Sequence, residues 1–428
     1  MKKLSMLLAF CLLSVSLCGC QSQLTSSSQS SEVSAVSASS TIQEGDPVAI
    51  CLDESLEQDM EELIRYLEAS GNETEYELLV LPEDTEDREP ELTRIRTEIM
   101  AGEGPDAFIL STAIPGAVLD PSTGETMESL FPNVEKSMYS HLFLDLEDMV
   151  QQSEIVDLEN CNQAVMDVGV TGDGRFLLPL TYTFSTLDQL LQSDQETLKG
   201  LFSYSTLGMF PNCLGLLADY QGQNLLVTSE SLQTAIEQGE SFAAYQDEQY
   251  SGSTARLGGL AASWSDWMNL PYEETAYNVY PIPNPEGGVT AAVTMYAAIN
   301  RNASHPQEAF ALIEQLFREE LVTQAGYEVN GYHYCTTFHF GNSGGYMAAL
   351  PVQDQLLLDY IEPNTQEATM ASLRAAVERI DSAKVYSDLD LDIYDLYETW
   401  HFSYGQLDTP LEELVEQTIS SMEMTLAE

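Results

Sequence analysis

Two tryptophans and an aspartate lie close together in the segment Ser263-Trp264-Ser265-Asp266-Trp267. Sugars present C–H faces that stack on indole rings, and carboxylates accept hydrogen bonds from their hydroxyl groups. The segment follows the apolar run at residues 257–262, which has the pattern of a buried strand. Ligands of α/β proteins bind just beyond the carboxyl ends of strands. Trp264, Asp266 and Trp267 are therefore candidate ligand-binding residues, and the alternative is that the indoles pack in a core.

Three further polar residues follow apolar runs in the same way. Ser111 and Thr112 come after the apolar residues 107–110, and Tyr182 comes after Pro179-Leu180. We include Ser111, Thr112 and Tyr182 among the candidate ligand-binding residues. The alternatives are a loop cap for the first two and packing for Tyr182. Trp400 lies in an apolar helical pattern, which favours a core position instead.

One segment partly matches the pattern of a calcium-binding loop. Asp388, Asp390 and Asp392 alternate as the first ligands of such a loop do. However, Ile393 stands where the loop needs Gly, and Thr399 stands where it needs a bidentate Glu. We therefore expect no calcium site here.

The histidines and cysteines do not form a zinc pattern either. His333, Cys335 and His339 have a spacing that matches no closed zinc site. No C-x-x-C pair occurs among the cysteines of the body, which are Cys51, Cys161, Cys213 and Cys335. We expect mostly buried free thiols, no metal and no cofactor.

Two sequence motifs of catalysis are missing as well. The chain has no H-E-x-x-H pair and no phosphate-binding Gly loop. These absences predict a protein that is not an enzyme and has no catalytic residues. The 69 acidic residues make carboxylate pairs easy to form, so a surface glycoside hydrolase stays open as an alternative.

The charge balance restricts the partners. With 15 basic and 69 acidic residues the formal net charge is −54, and there is no basic stripe to bind nucleic acid or an anionic lipid surface. Solubility alone explains such acidity. A cationic solute of the polyamine type is the alternative, since the acidic surface would steer it and the indoles would give cation–π contacts.

The amino terminus has the pattern of a secretory signal. Lys2 and Lys3 precede an uncharged apolar stretch at residues 4–17, which is too short to span a membrane. The motif Leu17-Cys18-Gly19-Cys20 resembles the bacterial lipobox. This resemblance implies that residues 1–19 are a signal peptide and that Cys20 is lipidated, with an ordinary secreted protein as the alternative. The Ser-rich residues 20–44 then form a flexible tether on the extracytoplasmic face of the cell membrane.

Strands alternate with amphipathic helices after the tether. Apolar strand patterns occur at residues 47–52, 76–81 and 107–110, and helical patterns at 54–70 and from Pro90 to Gly102. The order βαβαβ predicts a parallel sheet. Residues 170–180 read as a hairpin around Asp173-Gly174, and residues 353–428 are mainly helical in pattern.

Four pieces of the chain together resemble a known family. They are Met100-Ala101-Gly102-Glu103-Gly104-Pro105-Asp106, Gly172-Asp173-Gly174-Arg175-Phe176-Leu177-Leu178-Pro179-Leu180, residues 258–267, and residues 280–310. In this order they resemble the extracellular solute-binding proteins of ABC transporters, in particular the carbohydrate-binding group called family 1. The hairpin departs from the family pattern at Phe176 and Leu177, and residues 181–256 offer little to align.

The resemblance implies a two-lobed α/β fold of the periplasmic-binding-protein type, with discontinuous lobes and a hinge. Lobe 1 would comprise residues 45–150 and 289–330, and lobe 2 residues 151–288 and 331–428. The apolar residues 289–299 should then join the same sheet as residues 107–110. The implied function is capture of a carbohydrate, an oligosaccharide by preference, and delivery to an ABC permease. A scaffold or adhesin that has this fold but no transporter is a further alternative.

Overall fold

The computed structural model describes residues 46–112, 127–184, 186–190, 214–237, 255–256, 277–281, 283–323, 327–334, 349–402 and 409–427. All of these belong to one compact unit, residues 44–428. Within the described ranges no helix has the length and apolar character needed to cross a membrane. The predicted signal peptide, the predicted lipidation residue Cys20 and the predicted tether lie outside the described residues.

The body begins with the predicted βαβαβ unit. Strands β1 (Val48–Asp53), β2 (Tyr76–Leu81) and β3 (Ala107–Ser111) alternate with helices α1 (Glu57–Ala69) and α2 (Thr85–Met100). Strand β1 lies between the other two and pairs with both in parallel, which confirms the predicted parallel sheet. Helix α1 forms because Met60, Leu63 and Leu67 recur on one face, and all three are buried.

Helix α2 starts earlier than the sequence pattern predicted. We expected Pro90 to open it, but the helix begins at Thr85. The Asp84 side chain accepts a hydrogen bond from the Glu86 backbone N–H and so caps the amino terminus. Pro90 therefore lies inside the helix.

A long central strand, β12 (Val289–Ile299), organises the rest of the main sheet. All of its residues are buried, as expected for a strand covered on both faces. It pairs with β3 in antiparallel fashion, Met295 opposite Ser111 and Ile299 opposite Ala107. This pairing confirms the prediction that residues 289–299 join the sheet of residues 107–110.

Three further strands complete this sheet around β12. They are β6 (Leu178–Thr183), β15 (Leu350–Pro351) and β16 (Ile380–Val385). The order is β15-β6-β12-β3-β1-β2, and β16 pairs in parallel with the first half of β12. Because β16 and β3 lie along the same side of β12, the carboxyl end of β16 approaches the end of β3.

The remaining strands form small ladders. They are β4 (Val170–Thr171) with β5 (Gly174–Arg175), β7 (Thr186–Leu190) between β10 (Ala255–Arg256) and β11 (Tyr277–Pro281), β8 (Ala218–Asp219) with β9 (Asn224–Leu225), and β13 (Tyr327–Val329) with β14 (Tyr332–Tyr334). The predicted Asp173-Gly174 turn joins β4 and β5. The hairpin is shorter than predicted, because residues from Leu178 onward leave it and join the main sheet as β6.

Nine other helices follow in chain order. They are α3 (Val134–Tyr139), α4 (Glu147–Gln152), α5 (Gln163–Met166), α6 (Pro306–Ile313), α7 (Glu319–Val322), α8 (Asp354–Ile361), α9 (Glu367–Val377), α10 (Asp388–Phe402) and α11 (Leu411–Ala427), counted over the described ranges. The Pro105-Asp106 turn fixes α6 to the sheet, since the Asp106 carboxylate accepts hydrogen bonds from the backbone N–H groups of Ala49, Ser304 and His305. A carboxylate at a helix amino terminus is favourable.

Buried apolar side chains form two clusters. The first core surrounds the main sheet and includes helices α1, α2, α6, α8 and α9. The second core consists of residues 214–236 together with α10 and α11. Trp400 packs against the second core, which confirms its predicted packing role. Cys51 and Cys161 are buried free thiols, as expected. The division into lobes stays a prediction.

Candidate functional site

The carboxyl ends of β1, β2 and β3 form one edge of the main sheet, which we call the strand-end edge. Asp53 ends β1 opposite Leu81 at the end of β2, and Ser111 and Thr112 stand at the end of β3. Ligand sites of open α/β sheets occur at such edges. Ser111 and Thr112, two of the predicted ligand-binding residues, therefore stand at this edge, and their ligand contacts stay predictions.

An ion pair between Asp53 and Arg88 fixes this edge. Arg88 lies on α2, and its Nη2 donates to Asp53 Oδ1 at 2.8 Å. The two side chains are only 6% and 5% exposed, so the pair is buried. The second carboxylate oxygen of Asp53 accepts a hydrogen bond from the Ser111 backbone N–H at 2.8 Å. Asp53 therefore joins the end of β3 to the end of β1.

The other donors of Arg88 extend the connection. Nη1 donates to the Pro82 carbonyl oxygen at 2.8 Å, and Nε donates to the Glu128 carbonyl oxygen at 2.8 Å. One guanidinium therefore connects the end of β1, Pro82 after β2, and Glu128 in the segment before α3. The planar guanidinium offers several donors in fixed directions, which suits it to this task.

Acidic groups surround the edge on the side of β2. Glu54 Oε2 accepts a hydrogen bond from the Glu83 backbone N–H at 2.8 Å. Burial raises the pKa of the Glu83 carboxyl, and the charges of Glu54 and Asp53 raise it further, while Arg88 opposes them. The strand-end edge thus combines one neutralised carboxylate with acids that form no ion pair with another described residue.

Sequence reasoning missed Asp53 and Arg88. Asp53 directly follows the apolar residues of β1, the same signal that pointed to Ser111 after β3. Arg88 is a basic residue in an acid-rich segment of a chain with only 15 basic residues, and this rarity was the available signal. The spacing of the two residues in the sequence does not indicate that they meet.

Thr112 and Ser111 differ in what their side chains can do. The Thr112 hydroxyl donates to the Val293 carbonyl oxygen at 2.7 Å, and its side chain is buried. This bond ties β3 to β12, so the hydroxyl already has a partner in the protein. Ser111 is partly exposed, and its contact with a ligand stays a prediction.

Tyr182 lies in the interior of the sheet. It has no exposed surface, and its hydroxyl donates to Asp354 Oδ2 at 2.7 Å. Asn162 donates to the same oxygen at 2.8 Å. Burial raises the pKa of the Asp354 carboxyl, and these hydrogen bonds oppose the shift. Of the two roles considered for Tyr182, the structure shows packing, because no part of the ring faces solvent.

The remaining candidate residues from the sequence fall into two groups, those outside the described residues and those that the structure describes. Trp264, Asp266 and Trp267 lie outside the described residues, so their ligand contacts stay predictions. Asp390, one of the three aspartates that resemble part of a calcium loop, lies in α10. Its Oδ1 accepts a hydrogen bond from Lys384 Nζ at 2.6 Å. The residues that the structure describes contain no group of three or more His, Cys, Asp or Glu side chains placed to hold a metal ion.

Comparison with known proteins gives matches in structure rather than in sequence. No protein-family model and no curated protein matches the chain significantly. The sugar-binding protein MalE of Xanthomonas citri aligns with a TM-score of 0.54 at 12% identity, over 89% of this chain and 98% of that one. An ABC substrate-binding protein of Listeria monocytogenes in complex with cycloalternan aligns with a TM-score of 0.51 at 10% identity, over 89% and 100%.

A third solved structure is similar over nearly the same share of the chain. The maltotriose-binding protein of Thermus thermophilus, bound with maltotriose, aligns with a TM-score of 0.51 at 11% identity, over 89% of this chain and 100% of that one. The chain therefore has the periplasmic-binding-protein-like α/β fold of extracellular solute-binding proteins, as the sequence resemblance implied.

Proposed function

We propose that the protein is an extracellular, lipid-anchored solute-binding protein that captures a carbohydrate, by preference an oligosaccharide, and delivers it to an ABC permease. The observation that carries this proposal is a strand-end edge held rigid by one buried Arg88–Asp53 pair in a fold shared with sugar-binding proteins. A rigid edge suits a binding protein, because groups held in place in advance lose less entropy when a ligand binds.

The pairing at this edge favours a neutral ligand. Both carboxylate oxygens of Asp53 are already bonded, one to Arg88 and one to the Ser111 backbone. A cation near Asp53 would meet a charge that is already neutralised. Sugar hydroxyl groups need only polar partners such as Ser111 and the carbonyl and amide groups at strand ends.

A cationic solute remains the second candidate. Glu54 and Glu83 lie beside the edge, and the net charge of −54 attracts cations over long range. The salt dependence of binding separates the two ligand classes, because association with a polyamine weakens steeply as ionic strength rises and association with a neutral sugar does not.

The experiment is calorimetric titration of the purified protein with a panel of oligosaccharides and with spermidine. We expect binding of an oligosaccharide without release of smaller sugars. Sugar products would instead indicate a glycoside hydrolase, and binding of neither class would favour the scaffold alternative.

Trp264→Ala tests the predicted contact. If the indole stacks on a sugar ring, its loss costs about 2–4 kcal/mol, so affinity falls roughly 30- to 1000-fold. Trp400→Phe is the control, since Trp400 packs on the second core and its replacement should lower the melting temperature while leaving affinity unchanged. Unchanged affinity together with a lower melting temperature for Trp264→Ala would rule out the contact.

The anchor has a separate test. Mass spectrometry of the mature amino terminus should show acyl chains on Cys20 in the wild-type protein and none in Cys20→Ala. An unmodified terminus at another residue of the wild-type protein would contradict the lipid anchor, while leaving ligand capture untouched.

A further inference from the structure

A cavity of about 310 Å³ lies where the two cores meet. Met138 and Val385 of the first core line it, and so does Leu217 of the second core. Exposed Tyr139 and Leu216 also belong to its lining, so the cavity opens to solvent. Any change of spacing between the cores at this point changes how much water the cavity admits.

Asp167 and Asp381 line this cavity together with three further charged side chains, which we call the junction cluster. They are Glu135 on α3, Lys384 on β16 and Asp390 on α10. Lys384 Nζ donates to Asp390 Oδ1 at 2.6 Å, and these two side chains are 4% and 2% exposed. The cluster therefore links elements of both cores by charge.

Asp390 is the better-satisfied carboxylate of the two. Besides Lys384, the backbone N–H of Ser387 donates to its Oδ2 at 3.0 Å, and the Ser387 hydroxyl lies 3.2 Å from the same atom. Charge-assisted hydrogen bonds of this kind are shorter and stronger than neutral ones. Lys384 is thus committed chiefly to Asp390.

Glu135 is a further carboxylate near the ammonium group of Lys384. The backbone N–H of Val385 donates to it, and Lys384 attracts it, but Asp390 repels it. Burial is the largest influence and, with Asp390, it raises the pKa of Glu135 to about 7. Other titratable groups around this cavity are Tyr139 on the same helix, Tyr220 on the segment after β8, and the carboxyl groups of Asp167 and Asp381.

We propose that the junction cluster is a proton-controlled tie between the two cores, closed while Glu135 carries a proton and loosened when Glu135 ionises. In the protonated state the cluster holds one negative and one positive charge, which balance. Ionisation adds a second negative charge next to Asp390 in a partly buried place. The charge is relieved when α10, which carries Asp390, moves away from α3 and β16 and water fills the cavity, because water solvates the carboxylate better than the protein does.

The proton linkage gives the sign of the effect. A carboxyl whose pKa is higher in the folded than in the unfolded protein stabilises the fold fully below its unfolded pKa, and this stabilisation is lost as pH rises through the folded pKa. For Glu135 the loss falls between pH 4.5 and about pH 7. A rise from 4.5 to about 7 corresponds to a change of up to about 300-fold in the unfolding equilibrium constant.

Urea unfolding at a series of pH values from 4 to 8 tests the linkage. Wild type should lose up to about 300-fold in its folding equilibrium relative to Glu135→Gln over this range. Glu154→Gln is the matched control, because it makes the same substitution at an exposed position. Its stability should vary with pH as that of the wild type does. Other titrating groups, such as Asp354, act equally in all three proteins and cancel in the comparison.

Two measurements on the folded protein test the tie itself. The carboxyl carbon signal that Glu135→Gln removes from the ¹³C NMR spectrum should titrate near pH 7 in wild type. Hydrogen exchange at the Val385 amide, corrected for the intrinsic pH dependence, should be faster at pH 8 than at pH 6 in wild type and equal at both in Glu135→Gln. Titration of Glu135 near pH 4.5, or Val385 exchange equal at both pH values, would overturn the proposal. Neither result bears on whether the protein binds a sugar.

Discussion

Replacing Arg88 by methionine should destabilise the protein strongly. The substitution keeps an unbranched apolar stem but removes the guanidinium, so the Asp53 carboxylate stays buried without its cation. Removal of one partner of a buried ion pair costs about 3–5 kcal/mol. The carbonyl oxygens of Pro82 and Glu128 also lose their donors. These losses overlap because they share one side chain, so we expect a total of about 3–5 kcal/mol.

Arg94→Met on the same helix is the matched control. Arg94 pairs with Glu91 and Glu98, and its side chain is 44% exposed. Exposed pairs of this kind contribute about 0–1 kcal/mol. Urea denaturation of both variants at pH 7 measures the difference. A loss for Arg88→Met within about 1 kcal/mol of the loss for Arg94→Met would refute the reasoning, since the buried pair would then behave like a surface pair.

A double variant separates the ion pair from the other bonds of Arg88. In Arg88→Met/Asp53→Asn no charge is left without a partner, so the loss should be smaller than the sum of the two single losses, with a coupling of about 0.5–3 kcal/mol. Asp53→Asn can accept the Ser111 N–H through its carbonyl oxygen. If additivity holds instead, the ion pair contributes nothing beyond its separate groups.

Two further changes test the interior. Tyr182→Phe removes the hydroxyl that donates to Asp354, which should cost about 1–3 kcal/mol; because the lost bond lowers the pKa of Asp354, the cost measured by urea unfolding should be larger at pH 7 than at pH 4. Gly169→Ala places a Cβ onto a backbone carbonyl oxygen and should cost about 1–3 kcal/mol, whereas Gly172→Ala, with nothing within 4 Å, should cost less; equal thermal shifts would contradict this.

The sequence predicted the first half of the main sheet well because its signals are local. Residues 47–52 and 107–110 are continuous apolar runs and residues 76–81 are apolar except for Glu77, and the structure has β1, β2 and β3 at nearly these bounds. The long apolar run at residues 289–299 also became a strand with the predicted partner. Continuous apolar runs favour parallel or fully covered strands, so period and length decide the assignment without tertiary information.

Prediction failed where a contact that the apolar pattern does not show decides the local structure. Pro90 looks like the first residue of a helix, but the Asp84 side chain caps an earlier start. Tyr182 follows a strand-like motif as a pocket residue does, but β6 continues through it and buries it against Asp354. Neither the partner of Arg88 nor that of Lys384 can be read from a chain with 69 acidic residues.

The chain has only 15 basic residues, so the places where they are buried are informative. Two of the buried cations in the described ranges, Arg88 and Lys384, each neutralise an aspartate at a place where separate chain segments meet. Asp354 is buried and, among the residues that the structure describes, is bonded to neutral donors rather than to a cation, and burial raises its pKa. The guanidinium of Arg88 neutralises Asp53. It therefore makes the strand-end edge less attractive to positively charged ligands than its acidic surroundings suggest. If a polyamine bound there, Arg88 would repel it at short range, whereas a sugar would meet only polar groups already held in position. The local charge balance at Asp53 thus argues for a neutral ligand even though the net charge of −54 favours cations at long range.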